Sequence, residues 1–542
     1  MKKDLGKSVK LFMAAAICGG VLAGCGDSEN FVFTNTNIPV PIQPAPPVAV
    51  NDSVVALGNA TLQQAAVNGV LSNDTLNGGA ITDFDSTSVG GATVVLNDDG
   101  SFQYTPVLGF TGPDSFTYTL SNADGESTAT VTVNVNALGF FVDNTRAAGG
   151  DGSQADPFNS LDDAIAAAGN GDTIFVYAGD GAATNQTGLF ILPPGVNLIG
   201  QAQGLVAAQT IEPAGNRPVI AGTVQLSGNN VVAGLEFNDA TGASAITGDG
   251  VSNVTIQNNL FTDLDNDNIE FDDMTGTVTV ADNEFTAPGD GDTCLNIDQE
   301  DANATFSIAG NTFTDNATFN PDDALEFEAI GNSQVTLSVT DNEFSGDTAS
   351  TAFVYGIEVS TDDTADLSVT ITGNTFTDAS ENAAIYIESE STIGVDATIS
   401  NNMVDGSNDD GIDYYWNIDV ANTFVVRMEN NNLTDVGSKP FDIDGDGSTG
   451  IFFVRNNSGD SNSSVSFQFD LNSAANACLD LFGNTFADNV NLSVGTGTFD
   501  VERFDVNDGG PLDATGVNSI GGTLNATGMT SQEPGFCQAQ LP

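Results

Sequence analysis

The chain has 542 residues and a formal net charge of −63, from 73 Asp and Glu against 10 Lys and Arg, with no histidine. So few cations argue against a nucleic-acid partner, whose phosphates would be repelled, and the missing histidine excludes imidazole acid/base catalysis and histidine-ligated zinc, copper or non-haem iron. At 40% hydrophobic the sequence can still bury cores, so the acidity does not mean disorder, and hard oxygen-ligated cations, calcium above all, stay open.

Lys2, Lys3, Lys7 and Lys10 precede an apolar stretch, Leu11–Val21, that is short for a membrane span and reads as a signal h-region. It ends in Leu22-Ala23-Gly24-Cys25, which resembles a bacterial lipoprotein lipobox. The resemblance implies cleavage before Cys25, acylation of its sulfur and, with Gly26 rather than Asp following, release to the outer membrane. The blander alternative is an ordinary secretory signal, residues 1–25 in either case. The Pro-rich run 26–47 reads as a stiff tether. Of the cysteines beyond the lipobox, Cys478 and Cys537 are the expected disulfide, while Cys294 lies in an apolar strand pattern and reads as a core residue.

Short alternating strands with turn signals fill residues 48–137 and suggest a β-sandwich, among them Ser101–Thr105, Asp114–Thr119 and Thr128–Val135. The order Val50-Asn51-Asp52, Gly69–Asp74, Asp99–Pro106, Gly109–Gly112 and Asp114–Phe116 resembles the bacterial cadherin-like, Ig-like repeats of surface proteins. That resemblance implies a spacer or adhesive module with Asn51, Asp52 and Asp74 as calcium ligands; the alternative is that they are Asx turn residues.

From 138 to 542 the pattern changes. Leu161, Ala164, Ile165 and Ala168 share one face of a short helix, with Ser160 and Asp163 as a capping pair. The strand Thr173–Tyr177 follows. This arrangement resembles the N-terminal cap of right-handed parallel β-helix proteins of the pectate-lyase-like superfamily, in which the helix would cover an open apolar end. An apolar column then recurs at Phe237, Phe261, Phe285, Phe313, Phe344, Phe376, Val404, Leu433 and Phe486, the last step spanning two coils. Asn259, Asn283, Asn311, Asn342, Asn374, Asn402, Asn431 and Asn484 sit two residues before their apolar partners, a spacing that predicts a hydrogen-bonded Asn ladder beside a Phe stack. The expected fold is therefore all-β: a small Ig-like sandwich followed by a right-handed parallel β-helix (solenoid) with a short capping helix.

A second strand of each coil carries an acid between apolar residues: Glu270, Glu326, Glu358, Asp413, Asp442 and Asp480, with Asn296 and Tyr386 in the intervening coils. The alternation predicts a solvent-facing carboxylate column, which bound cations would relieve. Asp442-x-Asp444-x-Asp446-Gly447 matches half of an EF-hand loop, and Asp263-x-Asp265-x-Asp267 beside Glu270 shares the alternation. These are the expected calcium ligands; the alternative is a solvated acidic face.

Polygalacturonase-like members of the resembled superfamily use clustered Asp with a histidine and Arg-x-Lys, neither present here. Pectate-lyase-like members use calcium with Arg or Lys as base. Arg427 and Arg455, with Asp409, Asp410 and Asp413, would be the catalytic set of such an enzyme, and Tyr414, Tyr415, Trp416 and Lys439 its carbohydrate-binding groove. Simple ion pairing of the two arginines is the preferred reading. The balance is a calcium-stabilised, lipid-anchored protein of the bacterial outer membrane facing the exterior. Its expected work is binding, adhesion or surface structure, with extracellular polysaccharide or another cell surface as partner, and a surface polysaccharide lyase or glycoside hydrolase is the alternative.

Overall fold

Alternating burial along short strands makes the first domain. Ala80–Phe84, Gly112–Asn122 and Gly125–Val142 pair antiparallel in turn, and Asp52–Gly58 adds in parallel to the last. A second sheet packs Leu62–Gln64, Phe102–Thr105 and Thr93–Leu96. Phe102, Tyr104, Phe116, Tyr118, Leu120, Val131 and Val133 fill the space between them. The computed structural model describes residues 45–207, 209–238, 242–262, 264–286, 288–289, 291–315, 321–346, 353–393, 395–472, 476–494, 498–502, 519–520, 524–526, 530–532, 537–538 and 541. Cys25, the signal segment, almost all of the tether and Asp263 lie outside them.

The expected boundary near residue 137 is bridged by one strand. In Gly125–Val142, Val131–Leu138 pair with the sandwich strand Asp52–Gly58, and Gly139–Val142 pair with Thr173–Val176 of the first coil. Ala60, Phe141, Phe175 and Leu205 seal this junction. Gln154 ties it further, accepting from Thr61 N at 3.0 Å and donating to Glu212 Oε1 at 2.7 Å. The sandwich is thus fused to the coil stack, and Pro46–Pro542 form one compact unit.

Each coil contributes three parallel strands to three ladders, as in Ile269–Asp272, Thr275–Ala281 and Glu284–Thr286. The predicted helix, Leu161–Ala167, covers the N-terminal end: Ser160 caps it by accepting from Asp163 N, and Leu161 and Ala164 are buried. Inside, the rings of Phe237, Phe261, Phe285, Phe313, Phe344 and Phe376 stack at 4.6 to 5.1 Å, the strand spacing of a parallel sheet. Beside them runs the Asn ladder. Asn342 Nδ2, for example, donates to Asn374 Oδ1 and to Ile308 O, both at 3.0 Å, and Asn342 Oδ1 receives Asn311 Nδ2 at 3.0 Å. Asn457 joins this ladder too, between Asn431 and Asn484; it escaped the sequence pattern because Gly459 stands where the other coils have an apolar residue.

The residue before each ladder Asn turns the chain with positive φ, as at Asn258, Asp282, Gly310, Asp341, Gly373, Asn401, Asn430, Asn456 and Gly483. Only Gly, Asn and Asp tolerate that conformation well, which explains the recurring dipeptides. At the C-terminal end Cys478 and Cys537 form the expected disulfide, and Cys294 is a buried free thiol.

Candidate functional site

The first ladder assembles most of the predicted acidic column. Glu270, Asn296, Glu326, Glu358, Tyr386, Asp413 and Asp442 stand in consecutive register. Asp480 does not belong: Gln468 follows Asp442, and Asp480 pairs with Phe453 in another ladder. Gln468, between Phe467 and Phe469, fills the column position without a charge, so the pattern of an acid between apolar flanks passed on to Asp480. Asp442 is also buried rather than solvent-facing, with the Lys439 ammonium on its carboxylate.

A second column, two residues farther along the same strands, was missed. Asp249, Asp272, Asp298 and Glu328 stack in register, and beyond Ser360 follow Glu388, Tyr415, Asp444 and Asp470. The i, i+2 acids of Ile269-Glu270-Phe271-Asp272 and Leu325-Glu326-Phe327-Glu328 carried the signal. Between the columns lies a groove of about 280 Å³ lined by Glu326, Glu328, Glu358, Glu388 and Glu390 among others, with no basic residue. Tyr386, in register with Glu358, stacks on Tyr355 with ring centres 4.8 Å apart.

Burial, and after it the charge of Glu358, raises the Glu326 carboxyl to about 7. Burial and then Asp410 and Asp444 raise Asp413 to about 7. Asp323 is pushed up to about 10, first by burial and then by its hydrogen bond with Glu358. Tyr355 N fixes Asp323 by donating to Oδ1 at 2.7 Å.

The proposed calcium ligands are spread rather than gathered. Asp442, Asp444 and Asp446 alternate along the strand Phe441–Arg455 in register with Asp413, Tyr415 and Asn417, so the EF-hand-like loop is instead a β-strand. Asp265 is exposed, while Asp267 already accepts from Thr293 N at 2.8 Å and Asn296 Nδ2 at 3.2 Å. Among the described residues no three acidic, Cys or His side chains converge on one point. Asp442 Oδ1 and Asp444 Oδ1 are nevertheless buried without a hydrogen-bond donor. In the sandwich, Asn51 Oδ1 accepts from Thr130 N at 2.8 Å, and Asp74 accepts from Val50 N at 2.7 Å and Tyr118 OH at 2.8 Å. Asp52 keeps one buried oxygen without a donor, and burial and then Asp74 raise it to about 6.

The aromatic platform is corrected. Tyr414 and Trp416 are fully buried and only Tyr415 is half-exposed. Ile412, Tyr414 and Trp416 alternate inward, and Trp416 is accommodated because its register partner in the next coil is Gly445. The lyase constellation is not assembled either. Asp413 and Arg427 lie at opposite ends of the long strand Ile412–Glu429. Arg427 pairs in register with Phe453, while Arg455 pairs with Glu429, so the two arginines do not share a column. Both guanidinium groups lie over the Phe453 ring, at 5.2 and 4.7 Å, and Arg455 also holds Asp480 and Glu429. Lys439 is engaged by Asp442 and, at 3.8 Å, by Asp410, and Asp409 is exposed beside them.

Residues 44–136 match the family described as bacterial Ig domain, and residues 146–336 match one described as "Protein of unknown function (DUF1565)". Searches of curated proteins and of solved structures returned no match.

Proposed function

We propose, from a bacterial Ig domain joined to an acidic β-solenoid, that this protein is a binding and structural rod of the bacterial surface whose carboxylate columns carry divalent cations, calcium first. The observation behind this reading is the double column of acids around a groove without a basic residue. Two carboxylates one strand apart repel by about 1 kcal/mol in water and 3–4 kcal/mol at an effective dielectric of 20, and the cost recurs from coil to coil. The buried, donorless oxygens of Asp442 and Asp444 suit a hard cation. In this reading Cys25 is the lipid anchor to the outer membrane, and the sandwich, continuous with the first coil, holds the rod off the surface. Thermal melts in EDTA and in millimolar calcium test it: a higher melting temperature with calcium is expected, and coincident melts would end the proposal. Loss of membrane fractionation in Cys25→Ala tests the anchor.

A second reading, a surface glycoside hydrolase or lyase, draws on the hydrogen-bonded Asp323–Glu358 pair beside Glu326. A carboxyl whose proton is held well above the ordinary range, with a second carboxyl beside it, is an arrangement that an acid/base pair can use. New reducing ends or unsaturated products from pectin, alginate and other glycans, lost in Glu358→Gln, would favour it. Loss in Arg427→Ala would restore the lyase assignment.

A further inference from the structure

The second ladder presents a surface of another kind. In register from coil to coil, its outward residues include Asn197, Val231, Thr255, Thr279, Ser307, Ser338, Thr370 and Thr398, a column uncharged over these coils that ends at Arg427 in the next. Thr277, Thr305, Thr336 and Ser368 form a second column beside it. At its N-terminal end the first column passes beneath a short antiparallel hairpin, Leu205–Val206 with Thr210–Glu212. The space between is a groove of about 260 Å³, and none of its lining residues is charged. Asn197, Ile199, Val231 and Gln257 make the floor, and Gln203 and Val206 stand in the wall.

The groove is held in shape by its surroundings. Gln203 Oε1 accepts from Asn258 Nδ2 at 2.9 Å, and Asn258 Oδ1 accepts from Arg217 at 3.2 Å. Leu205 anchors the hairpin root in the apolar junction with the sandwich. Gly234, at φ +73°, lies under the hairpin, where any Cβ would press on the Gln203 backbone.

The floor strands are already paired on both sides, Asn197–Ile199 with Thr173–Phe175 and Val231–Ala233, and the latter with Thr255–Gln257. The floor therefore offers no open edge to a peptide strand, and among the described residues the only open edges beside it are those of the short two-stranded hairpin. Recognition falls to side-chain amides, each able to donate and accept, over the aliphatic faces of Ile199, Val231 and Val206. That combination suits a sugar ring. An anionic polymer would be opposed by a chain of net charge −63.

We infer that this groove binds one unit of an uncharged, hydroxyl-rich polysaccharide, whose chain continues along the Thr and Ser columns. The inference rests on the surface-binding reading and names its ligand class, but it does not depend on calcium.

The test is calorimetric titration of the detergent-solubilised full chain with cellohexaose, xylohexaose, mannohexaose and hexagalacturonate, in EDTA. Binding of at least one neutral hexaose and none of the uronate is expected. Asn197→Ala and Val206→Asp should each weaken it about tenfold or more, the scale of one lost hydrogen bond to a ligand. Val206 is 67% exposed, so its substitution should leave the melting temperature unchanged. Asp124→Asn, at an exposed turn of the sandwich, should leave the affinity unchanged. Absence of binding to all three neutral hexaoses would overturn the proposal. So would affinity indifferent to both groove variants, uronate binding of equal strength in EDTA, or capture of peptides from a casein digest in place of the sugars. Coincident melts with and without calcium would remove the cation-bearing reading alone, so the two failures stay distinguishable.

Discussion

The first and second ladders of the solenoid share one interior and differ almost completely outside. The first sets Glu326, Glu358 and Asp413 above a core of Phe327, Val359 and Tyr414; the second sets Thr336, Ser338 and Thr370 above Leu337, Val339 and Ile371. Parallel register copies each outward position from coil to coil, so whatever residue stands there is multiplied. Carboxylates multiplied in this way accumulate repulsion and shifted protonation; hydroxyls multiplied in the same way give a neutral surface at no electrostatic cost. The difference teaches that the Asn ladder and Phe stack fix the coil, leaving each outward column free to take its own chemistry.

The strongest test of that separation is in the shared interior. Asn342→Ala removes the side-chain donor of Ile308 O, leaves Asn374 Oδ1 with only the backbone N–H of residue 342, and takes the acceptor from the Asn311 backbone and side-chain amides. Unpaired buried groups of this kind cost about 1–3 kcal/mol each, so a loss of about 3 kcal/mol or more is expected in a denaturant melt followed by circular dichroism. A loss no greater than that of surface variants would mean that the faces are not held by a common interior.

Next in size is the pH response, to which the acidic face should contribute, with Asp52 of the sandwich adding to it, and the hydroxyl face should not. Glu326 and Asp413 keep their protons up to about 7 in the fold, against ordinary values of 4.5 and 3.8. The folded state then binds more protons than the unfolded one in this window, so calcium-free stability should fall as pH rises from about 4 to about 7 and keep falling, less steeply, toward about 10 through Asp323. Calcium competes for ionised carboxylates only, so its stabilisation should grow across the same range. Melting temperatures that rise with pH in EDTA through this window would contradict the assignment.

Glu358→Gln sharpens the comparison further. It removes a charge that raises Glu326 and Asp323, so at pH 8 in EDTA the melting temperature should rise by a few degrees while the increment from calcium shrinks. A lower melting temperature would show that repulsion is not what Glu358 contributes. The smallest effect is expected on the hydroxyl face, where Thr336 is exposed: Thr336→Val should stay within about 0.5 kcal/mol and leave the pH profile unaltered.

Much of this was legible because period and spacing survive translation into structure. The Asn-x-apolar step located the ladder and the stack, and the i, i+3, i+4, i+7 face located the capping helix. Period-two alternation also held the burial of Tyr414 and Trp416, since Ile412 fixes the parity of that strand; reading the aromatic run as a cluster overrode it. Asp480 was misassigned for another reason: Gln468 holds the column position without a charge, and sequence spacing cannot say which strand stacks on which.

By itself, then, the sequence determined the interior of each coil, because inward residues repeat under a steric demand that every coil shares. Tertiary structure alone decided which outward residues become neighbours. Glu358 meets Asp323 across coils, Arg427 is carried away from Asp413 along one strand, and a hairpin anchored by Leu205 at the sandwich junction closes a neutral groove. Those contacts depend on turn lengths and on the packing of distant segments, to which no local period is tied.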